Sequence, residues 1–215
     1  HLSRNGNRRL ANYLVRFTMP TLRSLALMES NGAWIDLEQL PKVMEEVNGM
    51  MEEQVEKGMA VVPKKVKEAH EERGLRFSRG DFVRDILFSK DGFELKPVRQ
   101  SKTGPSIDKE VRSTLLEGKL PAKARTFLEA YSQWTILNTL STRYLNGFEK
   151  WVKSDGRIHT RFSLATAATG RVASMEPNMM NNPKRSKEAK KIRRLIAAPK
   201  GRVLLAADAS QSELR

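Results

Sequence analysis

The sequence predicts an α+β fold, in which a mostly helical first part is followed by part of a β-sheet. Apolar residues recur every three or four positions along two long stretches before about Trp151, which is typical of amphipathic helices. From Ser154 onward the pattern changes to partial alternation, and a short apolar run at residues 203–207 precedes Asp208. Alternation and short apolar runs of this kind indicate strands.

The composition favours a polyanionic partner. The 215 residues include 39 Lys and Arg against 25 Asp and Glu, a formal net charge of +14. Such a surplus is typical of nucleic-acid binding, although a basic surface with no such partner has the same composition. The absence of cysteine excludes disulfides and thiolate metal sites, and the absence of a run of 18 apolar residues excludes a membrane-spanning helix.

The first helical stripe follows a turn at Asn31-Gly32. Asp36 is expected to cap the helix, with Gln39 in the capping-box position. The apolar residues at helical spacing are Leu37, Leu40, Met44, Val47, Met51 and Val55. We expect this stripe to pack in a core and the glutamates between its members to face solvent.

A second long helix is predicted from about Pro121, because proline fits the first turn of a helix. Its stripe consists of Phe127, Tyr131, Trp134, Leu137, Leu140, Tyr144, Phe148 and Trp151. The aromatic side chains could stack on bases, but packing against the first long helix is the preferred interpretation. Before this helix, Ser78 and Asp81 suit one helix start, and Ser106 is expected to cap another.

The last region contains the candidate site residues. Residues 157–164 are expected to form a strand, with Ile158 and Phe162 on one face, and residues 203–207 a buried strand that ends at Asp208. A carboxylate at the end of a buried strand can bind a hard cation such as Mg²⁺, whereas a helix cap or a loop aspartate is the alternative.

A polar loop at residues 166–183 precedes the densest basic stretch. Gly170 permits close backbone approach to a ligand, and Arg171 follows it directly. Arginine and asparagine side chains on a loop suit base edges and sugar-phosphate, although a polar connector is the alternative. The basic residues that follow are Lys184, Arg185, Lys187, Lys190, Lys191, Arg193, Arg194, Lys200 and Arg202.

Taken in order, these segments resemble family A DNA polymerases, of the bacterial polymerase I and phage replicative type. The matching motifs are Ala168-Thr169-Gly170-Arg171, Pro177-Asn178, Asn181, Pro183, Ile192-Arg193, Ala198-Pro199 and Asp208-Ala209-Ser210-Gln211-Ser212-Glu213-Leu214-Arg215. Weaker matches upstream extend the resemblance to nearly the whole chain. It implies a linker at residues 1–20, a helical thumb at residues 21–152, and the N-terminal part of a palm sheet at residues 153–215, ending at motif A.

The resemblance also implies roles for the matching residues. Asp208 would bind a catalytic Mg²⁺ with the backbone carbonyl of Ala209, and Glu213 would pack under the incoming sugar and disfavour a 2′-hydroxyl. The residues implied to contact DNA or the substrate are Thr169, Gly170, Arg171, Asn178, Asn181, Arg193 and Gln211. The chain departs from the family pattern at Ala209, Ser212 and Met180, where tyrosine, isoleucine and glutamine are usual. Some phage members share Ala209, which makes the chain phage-like.

One metal-binding aspartate cannot hold the two ions of a polymerase site, so the chain is expected to be inactive alone. A second polypeptide carrying the fingers and the remaining palm is the expected partner, with primer-template DNA and a dNTP as ligands. For a sequence that stops at Arg215, within motif A, a split gene is the preferred explanation. An intein insertion and a truncated chain are the alternatives. The resemblance implies the cytoplasm of a bacterium or of a phage-infected cell. The alternative function is a non-catalytic basic DNA-binding protein derived from a polymerase thumb.

Overall fold

The computed structural model describes residues 8–167, 169–181 and 187–208. Two compact units divide the chain: residues 44–142 form the middle unit, and residues 1–43 with 143–215 form the end unit. Helices and small antiparallel sheets are both present, which confirms the α+β class. The middle unit falls within the predicted thumb, while the thumb and palm boundaries themselves stay a prediction.

Helices make up most of the regular structure in the described residues. They are α1 (Arg8–Tyr13), α2 (Met19–Asn31), α3 (Leu40–Val61), α4 (Lys64–His70), α5 (Gly80–Phe88), α6 (Lys109–Glu117), α7 (Ala122–Leu140), α8 (Asn146–Trp151) and α9 (Lys187–Leu195). A π-helical turn, Leu14–Thr18, joins α1 to α2, and a second, Ser141–Leu145, joins α7 to α8. No helix in these ranges is long and apolar enough to cross a membrane.

Three short strand pairs form the antiparallel sheets. Strand β1 (Ala33–Trp34) pairs with β4 (Arg157–Ile158), β2 (Gln100–Ser101) with β3 (Gly104–Pro105), and β5 (Arg161–Ser163) with β6 (Ala173–Met175). In the last pair Phe162 lies opposite Ser174. The two loops that flank β6 belong to the same end unit as α9.

The core of the middle unit is built from aromatic rings. Phe77 makes edge-on contacts with Phe127, Tyr131 and Trp134 at centroid distances of 5.5, 5.7 and 5.7 Å. Val55 of α3 packs against the same cluster. The prediction that the aromatic stripe of α7 packs in the core rather than stacking on bases is thus confirmed for its first three members.

The helix starts agree with the sequence in one case and differ in another. The Asp36 carboxylate accepts a hydrogen bond from the Gln39 backbone N–H at 3.1 Å and so caps the turn that leads into α3, which begins at Leu40. The capping box expected with Gln39 is wrong, because the Asp36 backbone N–H donates to the Leu195 carbonyl instead. The predicted cap at Ser106 is wrong, because the Asp108 carboxylate accepts from the Val111 N–H at 3.1 Å at the start of α6. Asp108 immediately precedes the first helical residue and so reaches the unpaired N–H groups.

The strand predicted at residues 157–164 is divided into β4 and β5. The two residues between them leave the ladder, because His159 Nδ1 lies 2.7 Å from the Glu29 carbonyl and the Thr160 hydroxyl donates to the Pro177 carbonyl at 2.6 Å. These contacts replace the pairing that a continuous strand would make. Ile158 is fully buried, and Phe162 is partly buried.

The buried strand predicted at residues 203–207 is wrong. Val203, Leu204 and Leu205 are 89%, 66% and 93% exposed, and the segment has no regular secondary structure. A buried strand needs neighbouring strands to pair with its backbone and layers to cover its two faces. No residue in the described part of the chain provides either for this segment.

Candidate nucleic-acid interface

The first candidate loop joins β5 to β6. Gly170 adopts φ of +72°, a left-handed conformation that suits glycine, and its N–H donates to the Ala167 carbonyl at 3.0 Å. Thr169, Gly170 and Arg171 are all exposed. The tight turn therefore presents Arg171 at the surface of the end unit, where a guanidinium can reach an anionic or hydrogen-bonding ligand.

The second candidate loop follows β6 and is organised by Asn178. Its side-chain oxygen accepts hydrogen bonds from the backbone N–H of Met180 at 3.1 Å and of Asn181 at 3.2 Å, which is an Asx-turn arrangement. The buried Ser174 hydroxyl donates to the same oxygen at 3.0 Å. Because this oxygen already accepts hydrogen bonds inside the loop, the amide nitrogen is the part of the Asn178 side chain that can bind a ligand.

Two more hydroxyl groups hold the second loop from outside. Thr160 is buried, and its hydroxyl lies within hydrogen-bonding distance of the carbonyl oxygens of Pro177 (2.6 Å) and Met175 (3.2 Å). The Tyr144 hydroxyl donates to the carbonyl of Asn181 at the end of the loop. Asn178 and Asn181, which the resemblance implies to contact DNA from the same loop, thus lie on one loop whose shape is held by hydrogen bonds within the protein.

The segment before β5 is anchored by a partly exposed histidine. The carbonyl of Glu29 and, second, the carboxylate of Asp155 at 3.0 Å raise the pKa of His159 above its ordinary value, since both stabilise the imidazolium. The Glu29 carboxylate in turn accepts from the Phe162 backbone N–H. These bonds tie the end of α2 to the strand that precedes the first candidate loop.

Helix α9 carries a basic surface within the described part of the end unit. Ala189, Ile192 and Leu195 are fully buried, and Lys190, Arg193 and Arg194 are exposed. The charge of this segment was predicted but its helix was not, although these three apolar residues at spacing of three indicate one. Arg193, predicted to lie near the substrate, therefore belongs to an exposed basic helix face. Lys184 and Arg185 lie outside the described residues.

Of the residues predicted to hold Mg²⁺, only Asp208 lies within the described part of the chain. Asp208 is exposed at the end of the irregular segment that follows α9. Ala209, Gln211 and Glu213 lie outside the described residues. No group of three or more Asp, Glu, His or Cys side chains that could hold a metal is found in the described part of the chain. Asp208 offers the oxygen ligand that Mg²⁺ prefers, but a two-metal site needs further carboxylates.

Comparisons with known proteins identify the class. The family model described as DNA polymerase family A matches residues 45–215. DNA polymerase I of Bacillus subtilis is 32% identical over 201 residues, which cover 92% of this chain and 21% of the relative. DNA polymerase I of Pseudomonas aeruginosa is 32% identical over 212 residues, which cover 96% of this chain and 21% of the relative.

The fold has a solved counterpart. The POL domain of Pol1 from M. smegmatis, in complex with DNA primer-template and dNTP, matches with a TM-score of 0.76 and 27% sequence identity, over 93% of this chain and 32% of that chain. This chain belongs to DNA polymerase family A. It spans about a fifth of the length of each of these two polymerases I. The phage-like character stays a prediction.

Proposed function

We propose that this chain is a thumb and palm segment of a DNA-directed DNA polymerase that binds primer-template DNA. The observation that carries the proposal is the arrangement within the end unit of a family A chain: an arginine on a tight glycine turn, a preorganised asparagine loop and an exposed basic helix face. Arginine and asparagine suit base edges and sugars, and the cations of α9 suit phosphates. The similar solved structure contains primer-template DNA and dNTP, which agrees with this assignment.

In the proposed reaction the primer 3′-oxygen attacks the α-phosphate of a dNTP, and pyrophosphate leaves. Arg171 and the loop of Asn178 and Asn181 orient the primer terminus, and Glu213 packs under the incoming sugar. Asp208 and the Ala209 carbonyl would hold Mg²⁺, which when bound supplies charge stabilisation to the attacking and leaving oxygens. A complete two-metal site would need further carboxylates besides Asp208.

DNA binding is tested by fluorescence anisotropy of a labelled primer-template with the full chain. Arg171→Ala should weaken binding to the primer-template more than binding to a blunt duplex, because it removes a contact near the primer terminus. Arg23→Ala is the matched control, since Arg23 is an exposed arginine on α2, outside the proposed interface. Equal losses for the two variants on both DNAs would reject a specific role for Arg171.

Catalysis is tested by primer extension with Mg²⁺, using the chain alone and mixed with a polypeptide that carries the remaining palm and the fingers. Synthesis is expected only in the mixture, and Asp208→Asn should abolish it without weakening DNA binding. Asp91→Asn, at an exposed turn in the middle unit, should leave synthesis unchanged. Extension by the rigorously purified chain alone would contradict the expected inactivity.

A non-catalytic DNA-binding protein is the second candidate. The exposed basic face of α9 and the net charge of +14 favour it as much as they favour a polymerase segment. Tight DNA binding with no synthesis in any mixture, and no effect of Asp208→Asn in any assay, would establish this alternative.

A further inference from the structure

The helical run from α7 to α8 has an irregular register. The π-helical turn Ser141–Leu145 lies between them, and such turns insert one residue relative to an α-helix. On the end-unit side of this turn, Leu145 is buried, whereas Arg143 is exposed. Tyr144, a member of the predicted apolar stripe, is instead only partly buried.

The displaced tyrosine contacts the second candidate loop. Its hydroxyl donates to the carbonyl of Asn181, while the backbone N–H of Asn181 donates to the side chain of Asn178 at 3.2 Å. Both backbone polar groups of Asn181 are thus engaged. The Thr160 hydroxyl holds the start of the loop at Pro177, and the Tyr144 hydroxyl holds its end.

We propose that Tyr144 is a positioning residue for DNA binding: it holds the loop at residues 178–181 in the shape that meets the primer-template. The inference rests on the proposed DNA-binding function. Tyr144 itself need not touch DNA, since it acts through the backbone of Asn181. Tyr144 lies in the π-helical turn Ser141–Leu145, and both Tyr144 and Asn181 belong to the end unit.

The expected loss of DNA affinity depends on how often the loop at residues 178–181 adopts the conformation that binds DNA. A protein whose binding-competent conformation is only partly populated binds with an affinity reduced by that fraction. One hydroxyl-to-carbonyl hydrogen bond shifts such an equilibrium by about threefold to tenfold. Bulk attraction to phosphates should be unaffected, because Tyr144 carries no charge.

The experiment uses Tyr144→Phe, which removes only the hydroxyl, with Tyr13→Phe as the matched control. Tyr13 is 62% exposed on α1. Tyr144→Phe should weaken primer-template binding by about threefold to tenfold and accelerate amide hydrogen exchange at Met180 and Asn181. The slope of log K against log salt concentration should stay unchanged, because no phosphate-binding cation is lost. Tyr13→Phe should change none of these.

A double variant separates positioning from a general loss of structure. If Tyr144 acts by shaping the loop, its effect on affinity should largely disappear in an Asn178→Ala background, because that change already disrupts the same loop. Unchanged affinity for Tyr144→Phe in a chain that binds primer-template, or full additivity with Asn178→Ala, would overturn the inference. A wild-type chain that fails to bind primer-template would overturn the proposed function, and the inference with it.

Discussion

Gly58 is the glycine of α3 whose replacement tests the aromatic core of the middle unit. A Cβ atom at this position would lie 2.5 Å from Phe77 Cζ, closer than carbon atoms can approach, and 3.2 Å from Phe77 Cε2, which is a tight contact. Phe77 is 3% exposed and is enclosed edge-on by the rings of Phe127, Tyr131 and Trp134. The ring can therefore move away only by displacing its neighbours. We expect Gly58→Ala to destabilise the chain.

The magnitude follows from two opposing effects. Glycine in a helix interior is about 1 kcal/mol less favourable than alanine, so relief of this cost stabilises the variant. Overpacking of a dense core costs about 1–3 kcal/mol, so Gly58→Ala should lower the free energy of unfolding by up to about 2 kcal/mol. Gly49 lies on the same helix, and a Cβ atom added there would meet no neighbouring group within 4 Å. Gly49→Ala should therefore raise the free energy of unfolding by about 1 kcal/mol.

The assay is urea denaturation followed by circular dichroism for both variants and the wild type. The difference between Gly58→Ala and Gly49→Ala isolates the steric contact with Phe77, because the helix-propensity contribution is common to both. That difference should be about 1–3 kcal/mol and should shrink when Phe77→Leu is combined with Gly58→Ala. Equal stabilisation by the two alanines would refute the packing argument.

Three further predictions concern charge. The hydrogen bond from Ser106 is the largest of the effects that lower the pKa of Asp108 from its ordinary 3.8 to about 2. The ionised Asp108 therefore stabilises the fold above pH 3.8, and this stabilisation is lost as the pH falls toward 2. In urea titrations Asp108→Asn should remove this acid dependence. The Glu29 carbonyl raises the pKa of His159 above its ordinary 6.5. The protonated His159 therefore stabilises the fold below pH 6.5, and this stabilisation is lost as the pH rises through the raised pKa. His159→Gln should make the free energy of unfolding less dependent on pH in this range. Arg194→Ala should reduce the salt slope of DNA binding by about 1 if Arg194 contacts a phosphate, and an unchanged slope would place it off the DNA.

Local patterns in the sequence predicted the two long helices α3 and α7, but not α4, and Leu37 of the predicted first stripe is exposed before α3 begins. The apolar spacing of α3 and α7 reports which face of a helix meets the core, and this depends mainly on neighbours one turn away. The cap at Asp36 was readable for the same reason. The cap of α6 was assigned to Ser106 instead of Asp108, because both residues have capping side chains and only the position of the first helical residue distinguishes them.

The sequence by itself determined the net charge, the helical faces and the motifs that resemble family A, because each is a property of residue identity and short spacing. Only the tertiary structure decided that residues 203–207 are exposed, that Leu145 rather than Tyr144 is buried, and that the side-chain oxygen of Asn178 is used within its own loop. Burial of a strand and the shape of a loop depend on partners that are distant in sequence, and periodicity carries no information about them.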